Sequence, residues 1–168
     1  MNCLQTERVG CNEHNVSEEK TASEYDTVYL PYVNEQNLGS CPQVKFLMGS
    51  HQYSAVLDKG CEASILSEQL YNKLILNGVE SLELQTQNIV VVGEFSRKAH
   101  RVRKQVFLTL KFGDIPIDQI FLVSEQLLMP MLIGYDFCIA SGIILDFQRG
   151  KLILKHDDES TEIEIMNS

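Results

Sequence analysis

From residue 42 to residue 155 the apolar residues come in short runs, each bounded by Gly, Asn or Ser, and this punctuation limits what the chain can fold into. Val44–Met48, Tyr53–Leu57 and Ile89–Val92 are rich in β-branched and aromatic residues and read as strands. Val102 to Phe112 alternates apolar with polar, turns at Gly113-Asp114 and resumes from Ile115 to Val123, which predicts a hairpin. Met131–Ile133, Ile143–Phe147 and Leu152–Leu154 add three short strands, the last two separated by a turn at Arg149-Gly150. One helix is expected after Ser67, whose hydroxyl can cap it, with Leu70, Tyr71 and Leu74 at helical spacing and Gly78 just past its end. A second, short helix is expected to start at Asp136, as its cap, and to stop at Gly142. Many strands with little helix predict a compact all-β domain, a closed barrel or folded sheet.

The chain has 168 residues, 44% of them hydrophobic, which is enough to bury a core and excludes wholesale disorder. Its net charge of -9 is unevenly placed. Residues 1–41 carry two basic and seven acidic residues, residues 156–168 carry five acidic and none basic, and 42–155 carries twelve basic against eleven acidic. The expected organisation is therefore a disordered acidic leader (1–41), a near-neutral folded domain (42–155) and an acidic tail (156–168) that is a candidate dimer strand. No window approaches the roughly 18 consecutive apolar residues of a membrane-spanning helix. Met1-Asn2-Cys3-Leu4-Gln5 lacks the basic-then-apolar layout of a signal peptide, so the expected location is cytoplasmic or nuclear, without membrane association. Five cysteines without a Cys-x-x-Cys pair, and four scattered histidines, suggest neither a disulfide framework nor a metal site.

Two segments carry chemistry when read together. In Ala55-Val56-Leu57-Asp58-Lys59-Gly60-Cys61-Glu62-Ala63-Ser64 an apolar strand ends in Asp-x-Gly and is followed by small residues and a helix. In Pro130-Met131-Leu132-Ile133-Gly134-Tyr135-Asp136-Phe137 a second apolar strand ends in glycine and leads to Ile143-Ile144-Leu145-Asp146-Phe147. Together, over about residues 44 to 155, they resemble the retropepsin-like aspartic proteases, particularly those of gypsy-type LTR retrotransposons. The resemblance implies a retropepsin-like closed barrel with one or two short helices, and a retrotransposon-derived aspartic endopeptidase. It assigns Asp58 as the catalytic residue and Lys59, Gly60 and Cys61 to the active-site turn. Val92, Gly93, Glu94 and Phe95 fall in the flap, and Leu132, Ile133 and Gly134 form the supporting strand. Peptide hydrolysis of this kind uses a water held between two carboxylates that share a proton, because like charges so close do not both ionise readily. One Asp-x-Gly per chain then calls for a homodimer acting on a peptide or polyprotein, with no cofactor and no metal.

The sequence also departs from the pattern. The family places Thr or Ser after the aspartate, where its hydroxyl ties the two turns together across the dimer axis; here the residue is Lys59. Two ammonium groups about 4 Å apart repel by roughly 4 kcal/mol at an effective dielectric of about 20. A cation beside Asp58 also favours the ionised carboxylate over the shared proton. Cys61 replaces the usual Ala or Ser, and residues 93–97 hold one glycine where the family often has more.

Asp136 and Asp146 are read as a helix cap and an exposed strand residue, not as a catalytic pair. Ile163 and Ile165 in the alternating tail, with Phe46, are candidate dimer contacts. The basic run Arg97, Lys98, His100, Arg101, Arg103, Lys104 suits an acidic partner or nucleic acid, but lacks interleaved stacking aromatics and is more simply a solvated strand face. Three functions follow in order: an aspartic endopeptidase, an inactive protease-fold module for dimerisation or peptide binding, and a basic-surface nucleic-acid binder.

Overall fold

The computed structural model describes residues 26–30, 41–93, 99–156 and 159–166. Their strands are β1 (Asp26–Leu30), β2 (Gln43–Met48), β3 (His51–Leu57), β4 (Ile65–Ser67), β5 (Leu82–Gly93), β6 (Ala99–Phe112), β7 (Ile115–Ser124), β8 (Met131–Ile133), β9 (Ile144–Asp146), β10 (Lys151–His156) and β11 (Glu159–Glu164). Two helices, α1 (Glu68–Leu76) and α2 (Tyr135–Ser141), lie between them.

Eight strands form one sheet in the order β1-β5-β6-β2-β3-β8-β4-β7, and pairing of β6 with β7 closes the last six into a barrel. Closure leaves the barrel without open edges. The mostly β fold with two short helices agrees with the architecture expected from the sequence. The β6–β7 hairpin turns at Gly113 and Asp114, with Phe112 opposite Ile115 and Gly113 at φ 60°. The central β3 runs parallel to β8, which runs antiparallel to β4, so three short strands at the middle of the barrel come from distant parts of the chain.

Alternation fills the core. Val44, Phe46 and Met48 of β2 and Val106, Leu108, Leu110 and Phe112 of β6 are all buried. Phe112 stacks between Phe46 and Phe137 at centroid distances of 5.3 and 5.7 Å. α1 starts as expected: the Leu70 N–H donates to Ser67 Oγ at 3.2 Å, while Leu70, Tyr71 and Leu74 are buried. A second cluster of buried apolar residues joins Val56, Cys61, Ile65 and Leu132 of the barrel to Val91 and Val102 of the β5–β6 hairpin, and includes Val28 of β1.

Four local readings are revised. Residues 26–30, placed by composition in the leader, form β1 along the edge of β5, because Val28 finds apolar partners there. Residues 159–164 form β11, which pairs antiparallel with β10, and Met166 bridges Gln43. Phe46 and Ile165, read as candidate dimer contacts, are 3% and 8% exposed in this chain's own core, and Ile163 packs against it. Finally, Asp136 does not cap α2. The cap position is Gly134, which has no side chain to offer; Asp136 lies one residue inside the helix, where its carboxylate accepts the Phe137 N–H at 2.8 Å and is shared with Ser64 and Gln119 from outside the helix.

Candidate active site

Asp58 lies where β3 ends. Leu57 is in register with Ile133 of β8, and the Asp58 N–H donates to Ile133 O at 3.0 Å. The chain then reverses: the Cys61 N–H donates to Asp58 O at 3.2 Å, and the Gly60 N–H donates to Asp58 Oδ1 at 2.8 Å. A carboxylate that accepts the amide two residues on fixes both the turn and its own direction. A Cβ at Gly60 would stand 3.1 Å from Asp58 Oδ1, so a side chain there would push on the carboxylate.

The floor beneath the turn is tighter. A Cβ at Gly134 would meet Ala63 O at 2.5 Å and Cys61 O at 2.7 Å, so only glycine lets the end of β8 pass under the turn. The Tyr135 N–H donates to Cys61 O at 2.8 Å and the Asp136 N–H to Glu62 O at 3.1 Å. Ser64, fully buried, accepts the Gly134 N–H at 3.0 Å and donates to Asp136 Oδ1 at 2.7 Å. Gln119 Nε2 donates to Asp136 Oδ2 at 2.8 Å. This brace is not legible in the sequence, where Asp136 reads as a helix cap and Ser64 and Gln119 are isolated polar residues; their partnership depends on the barrel bringing the start of β4, β7 and α2 together.

The Cys61 thiol is 2% exposed and donates to Ala63 O at 3.2 Å. Burial, followed by the nearby Asp58 charge among others, pushes it up to about 11, so it is a neutral packing residue and no nucleophile at ordinary pH. Lys59 is exposed. Burial raises the Cys138 thiol of α2, and the Lys59 charge works against that rise.

Over this floor stands the β5–β6 hairpin, in which Val92 pairs with Ala99 and Gly93 ends β5. Glu94 and Phe95, the other residues assigned to the flap, lie outside the described residues, as do Arg97 and Lys98 of the basic run. His100, Arg101, Arg103 and Lys104 line a cleft of about 490 Å³, but Glu68 and Glu125 line it too, and Lys104 also faces Glu83 at 3.8 Å. Carboxylates in the cleft oppose a phosphate ligand. Asp146, in β9, accepts the Arg149 N–H at 3.0 Å. Among the described residues no three His, Cys, Asp or Glu side chains are grouped to hold a metal, and no helix is long and apolar enough to cross a membrane.

The fold that carries this turn is shared with solved structures. The retroviral protease-like domain of Ddi1 from Leishmania major matches with a TM-score of 0.53 and 15% identity, covering 76% of this chain and 94% of that one. The EIAV protease, solved with an inhibitor bound, matches with a TM-score of 0.50 and 21% identity, covering 70% of this chain and all of that one. The fold is retropepsin-like. No protein-family model matches the chain, and no curated protein matches it by sequence.

Proposed function

We propose that the chain is an aspartic-type endopeptidase of retropepsin type, in which two copies each supply Asp58 to activate water for peptide hydrolysis. The observation that carries this reading is the Asp58 turn itself. Its carboxylate is partly exposed and oriented by the Gly60 amide, and the turn is braced from below by Gly134 and the Ser64–Asp136 pair. A carboxylate in a solvated turn with no function does not need a floor that excludes every side chain at one position. In the dimer, one Asp58 as carboxylate takes a proton from water while its protonated counterpart donates to the departing amine. The substrate is an extended peptide, whose main chain pairs with strand edges without demanding sequence.

Lys59 opposes this chemistry by placing a positive charge beside the dyad. The alternative is a peptide-binding or dimerisation module without hydrolysis, and Lys59 is the feature that favours it. A fluorogenic mixed-peptide library at mildly acidic pH separates the two. Lys59→Thr is expected to raise turnover at least tenfold and Asp58→Asn to abolish it. Turnover that survives Asp58→Asn, or its absence in wild type and Lys59→Thr alike, overturns the peptidase reading.

A further inference from the structure

β1 lies parallel to β5 from Asp26 opposite Ile89 to Leu30 opposite Gly93, on the edge of the hairpin that stands over the Asp58 turn. This is the half of β5 nearest the hairpin tip. Val28, opposite Val91, is 8% exposed. It belongs to the cluster in which Cys61, Ile65 and Leu132 form the floor and Val91 and Val102 the roof. A segment from outside the barrel thus lies along the edge of the hairpin, pairs with it through its main chain, and buries one β-branched side chain among apolar residues of the hairpin, the barrel and the active-site turn. Those are the three things an extended peptide ligand would do there.

We propose that β1 is an intramolecular pseudosubstrate: it occupies the peptide-binding cleft of its own chain, must leave before another peptide enters, and shows that the cleft selects a β-branched aliphatic residue at the position of Val28. The inference rests on the reading of this cleft as a peptide site. The barrel closes through β6 and β7 and does not use β1, whose one strand neighbour among the described residues is β5. Departure of β1 therefore leaves the barrel's hydrogen bonding intact. A tethered occupant lowers the apparent affinity of any competitor by the fraction of molecules it leaves open, so a strand seated in about nine molecules of ten weakens competing peptides about tenfold.

The test uses the full chain in an Asp58→Asn background, so that binding is read without cleavage. A fluorescein-labelled peptide corresponding to residues 24–33 is titrated by anisotropy against this protein and against the same protein carrying Val28→Asp. A control peptide has Asp at the position of Val28. Val28→Asp in the chain is expected to tighten binding of the parent peptide at least tenfold, with the control peptide bound at least tenfold more weakly. Equal affinity of the two proteins for the parent peptide overturns the proposal, as does equal binding of the two peptides. Loss of the folded circular-dichroism signal in Val28→Asp also overturns it, because a strand that must leave cannot be one the barrel requires. These outcomes are independent of turnover. A peptidase unaffected by Val28→Asp would keep its activity and lose this regulation, whereas an inactive chain that passes the binding test would be a peptide-binding module.

Discussion

Gly134→Ala is the substitution that most directly probes how the candidate site is held. The added methyl would lie 2.5 Å from Ala63 O, 2.7 Å from Ala63 C and 2.7 Å from Cys61 O, all main-chain atoms that cannot swing aside. Relief requires β8 and the Asp58 turn to separate by roughly 0.5–1 Å, the difference from an ordinary contact between carbon and oxygen. That shift stretches the Tyr135 N–H bond to Cys61 O (2.8 Å) and the Gly134 N–H bond to Ser64 Oγ (3.0 Å) beyond useful length. Two hydrogen bonds at about 1 kcal/mol each, with overpacking strain of about 1–3 kcal/mol, give a loss of about 3–5 kcal/mol. Against a typical total of about 5–15 kcal/mol this is a large fraction of the whole. Urea unfolding followed by circular dichroism measures it as a fall in midpoint at unchanged slope. Gly60→Ala provides the contrast, since its methyl would meet only a side-chain oxygen at 3.1 Å; a cost of about 1 kcal/mol is expected there. A loss below about 1 kcal/mol for Gly134→Ala, or a larger loss for Gly60→Ala, would refute the claim that the crossing of β8 beneath the turn is what fixes Asp58.

Three further outcomes are expected. The Cys61 thiol is held neutral in the folded chain, raised from 9.0 to about 11, so its contribution is complete below pH 9 and is lost as pH rises through 11. At 1.36 kcal/mol per unit this is about 2–3 kcal/mol, and Cys61→Ala should flatten the fall in unfolding free energy over that window; an unchanged slope would show that the thiol is not the titrating group. Among the described residues no buried side-chain polar atom lacks a partner, so Asp136→Ala would take away the acceptor of the Ser64 hydroxyl hydrogen and of one Gln119 amide hydrogen, leaving Gln119 its bond to Ile120 O and Ser64 its bond from the Gly134 N–H. A loss of about 2–4 kcal/mol is expected by thermal or urea unfolding, and a loss under about 0.5 kcal/mol would mean that water replaces the carboxylate without cost. Phe137→Ala removes a fully buried ring from the stack with Phe112 and should cost about 3–5 kcal/mol, measured in the same way; a neutral result would place the centre of the core elsewhere.

Strand periodicity and turn chemistry were local enough to read directly. Alternation along Val102–Phe112, the Gly113-Asp114 turn and the Ser67 cap depend on neighbours within a few residues, and each took the form its own residues favour. Other features were invisible for the same physical reason. β4 is only three residues long, and its burial beside β7 and β8 owes nothing to its own period. Asp136 lies inside the first turn of α2, where its carboxylate accepts the Phe137 N–H but is shared with the buried Ser64 and Gln119, partners that the local sequence does not contain. Ile165 and Phe46 alternate as exposed contact residues would, yet they close this chain's own core.

The sequence by itself determined the class of fold and one chemical group. Short β-branched runs with glycine between them leave few options but a small barrel, and a strand ending in Asp58-Lys59-Gly60 points to a carboxylate on a tight turn. Only the tertiary structure decided what surrounds that carboxylate. The passage of Gly134 beneath the turn, the Ser64–Asp136–Gln119 brace and the lodging of Val28 between hairpin and floor each join residues far apart along the chain. Period and propensity act over a few neighbouring residues, whereas close packing and the pairing of buried polar groups are satisfied across space.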